Sequence, residues 1–237
     1  MQKLIILKAG SKLPSLADTR GDFEEWILEP MAVHKGQCEV ISINPTARLP
    51  QVATVAGVVI TGSSAMATDG SDWIEQTAQW LNAVLEKGKP VLGICFGHQL
   101  LAHALGGRVA DNPAGIEVGT VITNLHTAAA DDPLFQSLPG ALPVQVSHKQ
   151  AVLSLPRQAI RLASSDMDNN HAFRYGERAW GVQFHPEFSR DIVQAYIKYY
   201  ADALSTQGVD YHSLCETRQE TQLSQHILSR FARIVFP

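Results

Sequence analysis

Short apolar runs alternate with amphipathic stretches over the first 110 residues. Residues 4–7, 40–43, 58–60 and 91–94 are too short and too uniformly apolar for surface helices. They read as strands buried on both faces. Between them, residues 22–35 set Phe23, Trp26, Ile27 and Met31 near one face of a helix that Pro30 kinks. Residues 72–87 do the same with Ile74, Ala78, Leu81, Val84 and Leu85, behind a Ser71 cap. The fourth strand runs directly into a further helix over residues 97–105, closed by Gly106-Gly107.

This alternation predicts an α/β fold: a mostly parallel, doubly wound open sheet. Ligands of such sheets sit at the carboxyl ends of the strands, which points to the loop after Ile60 and the turn after Ile94. From about Gly115 to Gln183 the pattern changes to short strand-like runs at 118–122, 144–146 and 179–184, an antiparallel extension. Helical periodicity returns over 191–204 and again over about 214–235. One domain over residues 1–237 is expected, with a motif-bearing core at about 40–200 and a C-terminal helical extension over about 190–237. The stripe Ile192, Tyr196, Tyr199 and Tyr200 is expected to pack on the sheet, and Trp73 and Trp80 are read as packing residues too.

A net charge of -4, with 45% hydrophobic and 18% charged residues, gives no footprint for nucleic acid or an anionic membrane, so neither is expected as a partner. Cys38, Cys95 and Cys215 are far apart and form no C-x-x-C pair, which favours neither a disulfide framework nor a thiolate zinc site. The first residues hold too short an apolar run for a signal peptide or a membrane span. A reducing cytoplasm is expected, where a thiol stays free. No H-x-x-x-H, H-E-x-x-H or G-x-x-x-x-G-K-[ST] spacing occurs, and no metal or other cofactor is expected.

The sharpest motif is Gly93-Ile94-Cys95-Phe96-Gly97-His98-Gln99. It has the G-x-nucleophile-x-G form of an elbow where a strand turns sharply into a helix. Cys95 at its apex is the candidate nucleophile, placed at a helix amino end that favours a thiolate, beside the Phe96 N–H as an oxyanion donor. A thiol needs a base, and His185 ends an apolar strand in Trp180-Gly181-Val182-Gln183-Phe184-His185-Pro186-Glu187-Phe188. Pro186 cannot continue the ladder, and Glu187 is placed to orient the imidazole. If that strand is parallel to the one before Cys95, base and nucleophile meet. His98, one helical turn from Cys95, is either a neighbour of the site or a packing residue.

These residues together resemble the class I (triad) glutamine amidotransferases, among them the amidotransferase domain of GMP synthase. A third piece, Gly57-Val58-Val59-Ile60-Thr61-Gly62-Ser63-Ser64, is similar to that family's oxyanion strand. The resemblance implies a triad of Cys95, His185 and Glu187, and an oxyanion hole at Gly62, Ser63 and Phe96. It implies substrate contacts from Gln99 and from the loop Val146-Ser147-His148-Lys149, chiefly at Ser147 and His148. Two positions depart from the common pattern: Gly62-Ser63-Ser64 stands where many members have Gly-Gly-Pro, and Gln150 stands where many have aspartate. The implied activity is release of glutamate and ammonia from L-glutamine through a Cys95 thioester, with a separate synthase subunit as a candidate partner. Hydrolysis of small γ-glutamyl compounds by a stand-alone enzyme is the alternative. A non-enzymatic metabolite- or partner-binding module is the third reading, disfavoured by the intact Cys-His-Glu set.

Overall fold

The computed structural model describes residues 2–19 and 21–237. Strand β1 (Lys3–Lys8) is followed by helix α1 (Phe23–Met31), β2 (Cys38–Ser42) and β3 (Val55–Ile60). Helix α2 (Asp72–Glu86), β4 (Val91–Ile94) and α3 (Phe96–Ala104) complete the wound half. Then come β5 (Arg108–Asp111), β6 (Glu117–Leu125), β7 (Ala141–His148), β8 (Gln150–Ser154), β9 (Ile160–Ser164), β10 (Ala172–Tyr175) and β11 (Ala179–Val182). The chain ends in α4 (Arg190–Tyr199), α5 (Ala201–Thr206), α6 (Tyr211–Thr217) and α7 (Gln222–Val235).

Nine strands form one sheet in the order β2-β1-β3-β4-β11-β10-β9-β6-β7. The run from β2 to β11 is parallel, and the rest is antiparallel. Period-two alternation divides the buried strand residues between two cores. Leu4, Ile6, Val59, Leu92 and Ile94 face α1 and α7, meeting Ile27, Met31, Ile227, Leu228 and Phe231. Ile5, Leu7, Val58, Ile60 and Val91 face α2 and α3, meeting Ile74, Leu81, Val84, Leu100 and Leu101. Full burial of each such side chain contributes roughly 1.5–3 kcal/mol before the ordering entropy is subtracted. This is the expected doubly wound α/β sheet with its antiparallel extension.

Several local expectations are corrected. Ser71 occupies the N-cap of α2, but its side chain makes no capping bond. The strands β5, β8, β9 and β10 carry too little apolar patterning to have been read: Arg108–Asp111 has only one buried residue. The helix expected over 191–204 breaks at Tyr200, which caps α4 and starts α5. The helix expected over 214–235 is two helices. Between them Gln219 is held by the chain's other end of the sheet: its N–H donates to Thr120 Oγ1 at 3.1 Å and its carbonyl accepts from Gln145 Nε2 at 2.7 Å. Those bonds replace the helical ones. Within the tyrosine stripe, Ile192 is buried as expected, but Tyr199 is 62% exposed and does not pack on the sheet.

The β4–α3 junction is the tightest point of the fold. A methyl group at Gly93 would run into the carbonyl of Gly97, and one at Gly97 would run into the carbonyl of Ile60 in β3. Strand, turn and neighbouring strand therefore touch backbone to backbone. Gly93→Ala is expected to destabilise the protein by about 1–3 kcal/mol through overpacking. Gly140→Ala, which meets nothing within 4 Å, is expected to stay within about 0.5 kcal/mol. Paired urea denaturation curves check this contrast.

Candidate active site

Cys95 sits at the apex of that junction with φ 52° and ψ -105°, a left-handed conformation that is strained for any residue with a Cβ. Its N–H donates to the Val182 carbonyl at 2.9 Å and its carbonyl accepts from Gln99 N–H at 3.1 Å, so β11 and α3 both hold the turn. The thiol is buried to 5% exposure, 3.7 Å from the carbonyl of Ser147. Phe96 packs its ring on Trp73, centroids 5.8 Å apart, and contributes one of the helix's unpaired first N–H groups beside the thiol.

β11 runs parallel to β4, with Val182 opposite Ile94. The strand ends of Cys95 and His185 therefore meet, as the sequence required. The His185 N–H donates to the Gln145 carbonyl at 2.8 Å. Its ring lies flat on Phe188, centroids 3.9 Å apart and planes 11° apart, with Phe23 stacked at 6.2 Å. Nδ1 is 2.7 Å from Glu187 Oε1. Burial would lower the imidazole pKa, but the Glu187 charge, the Cys95 charge and hydrogen bonds to both outweigh it and raise it to about 10. Cys95, His185 and Glu187 thus form one connected set.

The loop after β3 closes over this set. A methyl group at Gly62 would lie 2.8 Å from His185 Cε1, so only glycine permits this approach. Ser63 Oγ donates to the Ala9 carbonyl at 2.8 Å and accepts from the Ala65 N–H at 3.0 Å. Ser63 thereby pins its own loop to the end of β1.

A cleft of about 90 Å³ opens beside the thiol, walled by the loop after β3, by Gln99, by the Ser147–Gln150 segment and by Tyr199 and Tyr200. Gln99 lines it, but its Nε2 donates to the Gln150 carbonyl at 2.9 Å and to Gln183 Oε1 at 3.0 Å. His98 is not part of it. Its ring is buried against Phe173, and burial, the largest cause, holds its pKa down to about 3, so it is a neutral packing residue.

The structure also reveals a charged network behind the cleft that the sequence reading missed. The β6–β7 register puts Glu117 opposite His148. Glu117 Oε2 is 2.7 Å from His148 Nε2 and 3.4 Å from His171 Nε2, and Oε1 accepts from Ser165 Oγ at 2.7 Å. His148 Nδ1 donates to the Gln150 carbonyl at 2.9 Å. Burial would raise the carboxyl pKa, but the two imidazoles hold it below the usual range. Burial likewise opposes the charge of His148, and Glu117 outweighs it and raises the pKa. Among the described residues, Glu117, His148 and His171 are the one trio of metal-ligating side chains within 4.8 Å of one another. The Glu117–His148 hydrogen bond, the Glu117–His171 contact at 3.4 Å and the His171–Thr123 bond hold the trio in place. A buried glutamate in Gly115-Ile116-Glu117-Val118-Gly119 was itself a signal, since glutamate is almost never fully buried without a partner. His171 carried none.

Glu117 contributes stability above its ordinary value of 4.5, and His148 contributes below its ordinary value of 6.5. Both contributions coexist between those values. The His148 contribution is lost as pH rises through its higher folded value. Glu117→Gln is therefore expected to destabilise by about 3 kcal/mol at about pH 5.5 and by less at about pH 9, as read by chemical denaturation at the two pH values.

The family model described as glutamine amidotransferase class-I matches residues 15–197. The chain is 37% identical over 139 residues to gamma-glutamyl peptidase 5 of Arabidopsis thaliana, a match covering 58% of this chain and 55% of that protein. It is 33% identical over 190 residues to the glutamine-hydrolyzing GMP synthase of Porphyromonas gingivalis, covering 79% of this chain and 33% of that protein. It thus spans about half the length of the first relative and a third of the second. A glutamine amidotransferase structure from Thermotoga maritima shares the fold, with a TM-score of 0.76 at 24% identity over 100% of both chains. No helix among the described residues is long and apolar enough to cross a membrane. With the fold, the elbow and the family match in agreement, the chain belongs to the class-I glutamine amidotransferase family.

Proposed function

We propose that this chain hydrolyses γ-glutamyl carbon–nitrogen bonds through a thioester on Cys95, with the side-chain amide of L-glutamine as the smallest substrate. The observation that carries the reading is the strained Cys95 turn, its charge coupled to an imidazole that Glu187 holds at 2.7 Å. A buried cysteine with only a packing role has no use for a charged, oriented partner.

In this mechanism the Cys95 thiolate adds to the γ-carbon and the carbonyl oxygen becomes an oxyanion. The Phe96 N–H and an N–H of the Gly62-Ser63 loop hold that charge. Collapse breaks the C–N bond while the His185 imidazolium gives its proton to the departing amine. The neutral imidazole then takes a proton from water, which adds to the thioester. Collapse of the second intermediate expels the Cys95 thiolate and leaves glutamate, with His185 again protonated. One water is consumed, and one glutamate and one amine are produced. Glu187 stabilises the imidazolium in both halves. Gln99, Ser147 and His148 form the wall against which the acyl chain lies.

The same chemistry serves a γ-glutamyl peptide, the substrate class in the name of the Arabidopsis relative. It equally serves delivery of ammonia to a separate synthase, which is how the GMP synthase match would extend to this chain. The amine released distinguishes them, not the residues at Cys95. A cytoplasmic setting, where the thiol stays reduced, suits both.

Glutamate release from L-glutamine and from a γ-glutamyl dipeptide tests the proposal. Cys95→Ala is expected to lose at least about 10⁴-fold in kcat. Added hydroxylamine is expected to yield γ-glutamyl hydroxamate only when Cys95 is present. Undiminished turnover by Cys95→Ala would overturn the reading. Glu187 is the leading cause that raises the His185 pKa to about 10, so removing its charge must lower that pKa. In Glu187→Gln the alkaline limb of the kcat/KM profile is expected to move to lower pH, with kcat down by about 10³-fold.

A further inference from the structure

His185 must protonate the leaving amine, so the amine departs on the His185 side of Cys95. The cleft beside the thiol is lined by Cys95, Gln99 and the Ser147–Gln150 segment and not by His185. The cleft is therefore the place of the acyl half. This inference rests on the thioester reading and concerns what that acyl half must carry.

Twelve residues line the cleft, and none of them is an aspartate or glutamate. One is a lysine. Lys149 is exposed, and its Nζ lies 5.2 Å over the Tyr200 ring. No carboxylate pairs with it among the described residues. Gln150, beside it in the lining, is neutral. It is 4% exposed, its Nε2 donates to Thr68 Oγ1 at 2.7 Å and Asp111 Oδ1 at 3.1 Å, and its Oε1 is buried with no partner. Glu117, a buried carboxylate behind the wall, is already paired with His148. A substrate carboxylate in this cleft finds a free cation. A substrate ammonium finds a neutral amide oxygen and backbone carbonyls in the lining but no carboxylate there to offset its desolvation, since Asp111 is turned to the Gln150 amide.

We propose that the cleft selects its acyl group by the α-carboxylate, through Lys149, and not by the α-ammonium. The substrate class is then γ-amides of five-carbon dicarboxylic acids in general, including those whose α-amino group is missing or acylated. The exposed Tyr199 leaves the outer wall open, which gives an α-N-substituent room to reach solvent.

The test compares kcat/KM for four amides: L-glutamine, glutaramate (no α-ammonium), N-acetyl-L-glutamine (acylated) and L-glutamine α-amide (no α-carboxylate). In the wild type, glutaramate and N-acetyl-L-glutamine are expected within about tenfold of L-glutamine, and the α-amide lower by about tenfold or more. In Lys149→Ala, an exposed change, the α-amide is expected to equal L-glutamine because both fall to the same level. In Gln150→Asp, preference for the α-ammonium is expected to appear, with glutaramate falling about tenfold or more below L-glutamine. The proposal is overturned if the wild type loses more from removing the ammonium than from removing the carboxylate, or if Lys149→Ala leaves the carboxylate preference intact. Absence of turnover on all four, with no Cys95-dependent hydroxamate, would instead overturn the thioester reading beneath it.

Discussion

Everything at the candidate site depends on how closely β3, β4 and the start of α3 approach one another. Gly93 and Gly97 remove the side chains that would hold them apart, so the carbonyls of Gly97 and Ile60 come within contact of backbone positions. The chain can then reverse direction over one residue, and that residue is Cys95 at positive φ. Such a conformation persists only when surrounding bonds over-determine it. Here they do: the Cys95 N–H is bound by β11, its carbonyl by α3, and its Cβ is fixed between the cleft and the base. Loosening the junction would release the thiol from both.

A second layer keeps the walls of the site in register. The strand β7 delivers the Ser147 carbonyl to within 3.7 Å of the thiol, and its neighbour His148 is locked from behind by Glu117. The charges are sorted by partners, not by depth. His98, His148 and His185 are all fully buried, yet the first is held neutral while the other two are driven toward the cation. The difference is a carboxylate at 2.7 Å in the latter two cases and none in the first. Burial by itself only lowers an imidazole pKa. The protein thus places two buried anions, Glu117 and Glu187, where positive charge is wanted on either side of Cys95.

The parallel half of the sheet was legible because β1, β3 and β4 are buried on both faces and each helix shows one apolar stripe; β2, read as buried on both faces, is instead a largely exposed edge strand. Residues 4–7 and 91–94 could hardly be anything else. The elbow and the His-Pro-Glu turn were legible because local chemistry dictates them: glycines for contact, proline to end a ladder. The antiparallel half was not, since strands such as β5 and β9 are partly solvated and their patterns are too short to separate from loops. Long-range pairings were equally hidden. Nothing near Glu117 in sequence announces His171, and nothing near Tyr200 announces its place in the cleft beside Ser147. Tyr199 followed the helical stripe in sequence, yet it stands at the cleft mouth.

These two kinds of wall give the site an asymmetry. On the side where the amine would leave, His185 is stacked on Phe188 at 3.9 Å, with Phe23 nearby at 6.2 Å, and hydrogen-bonded at Nδ1. Its freedom is nearly nil, as proton transfer to a departing nitrogen requires. On the acyl side the inner surface is backbone and amide, and the outer surface is one flexible lysine and two tyrosines. Rigid chemistry beside an adaptable binding rim means that changes at the rim can alter which acyl group enters without moving the reacting atoms. A neutral Gln150 beside Lys149 sets the charge of the rim while the Cys95, His185 and Glu187 geometry stays as the fold sets it. The cleft wall and the Cys95–His185 pair stand on different elements, β8 and α4 for the wall and the ends of β4 and β11 for the pair, and the Ser147 carbonyl, the Gln99–Gln150 bond and the His185–Gln145 bond tie them together.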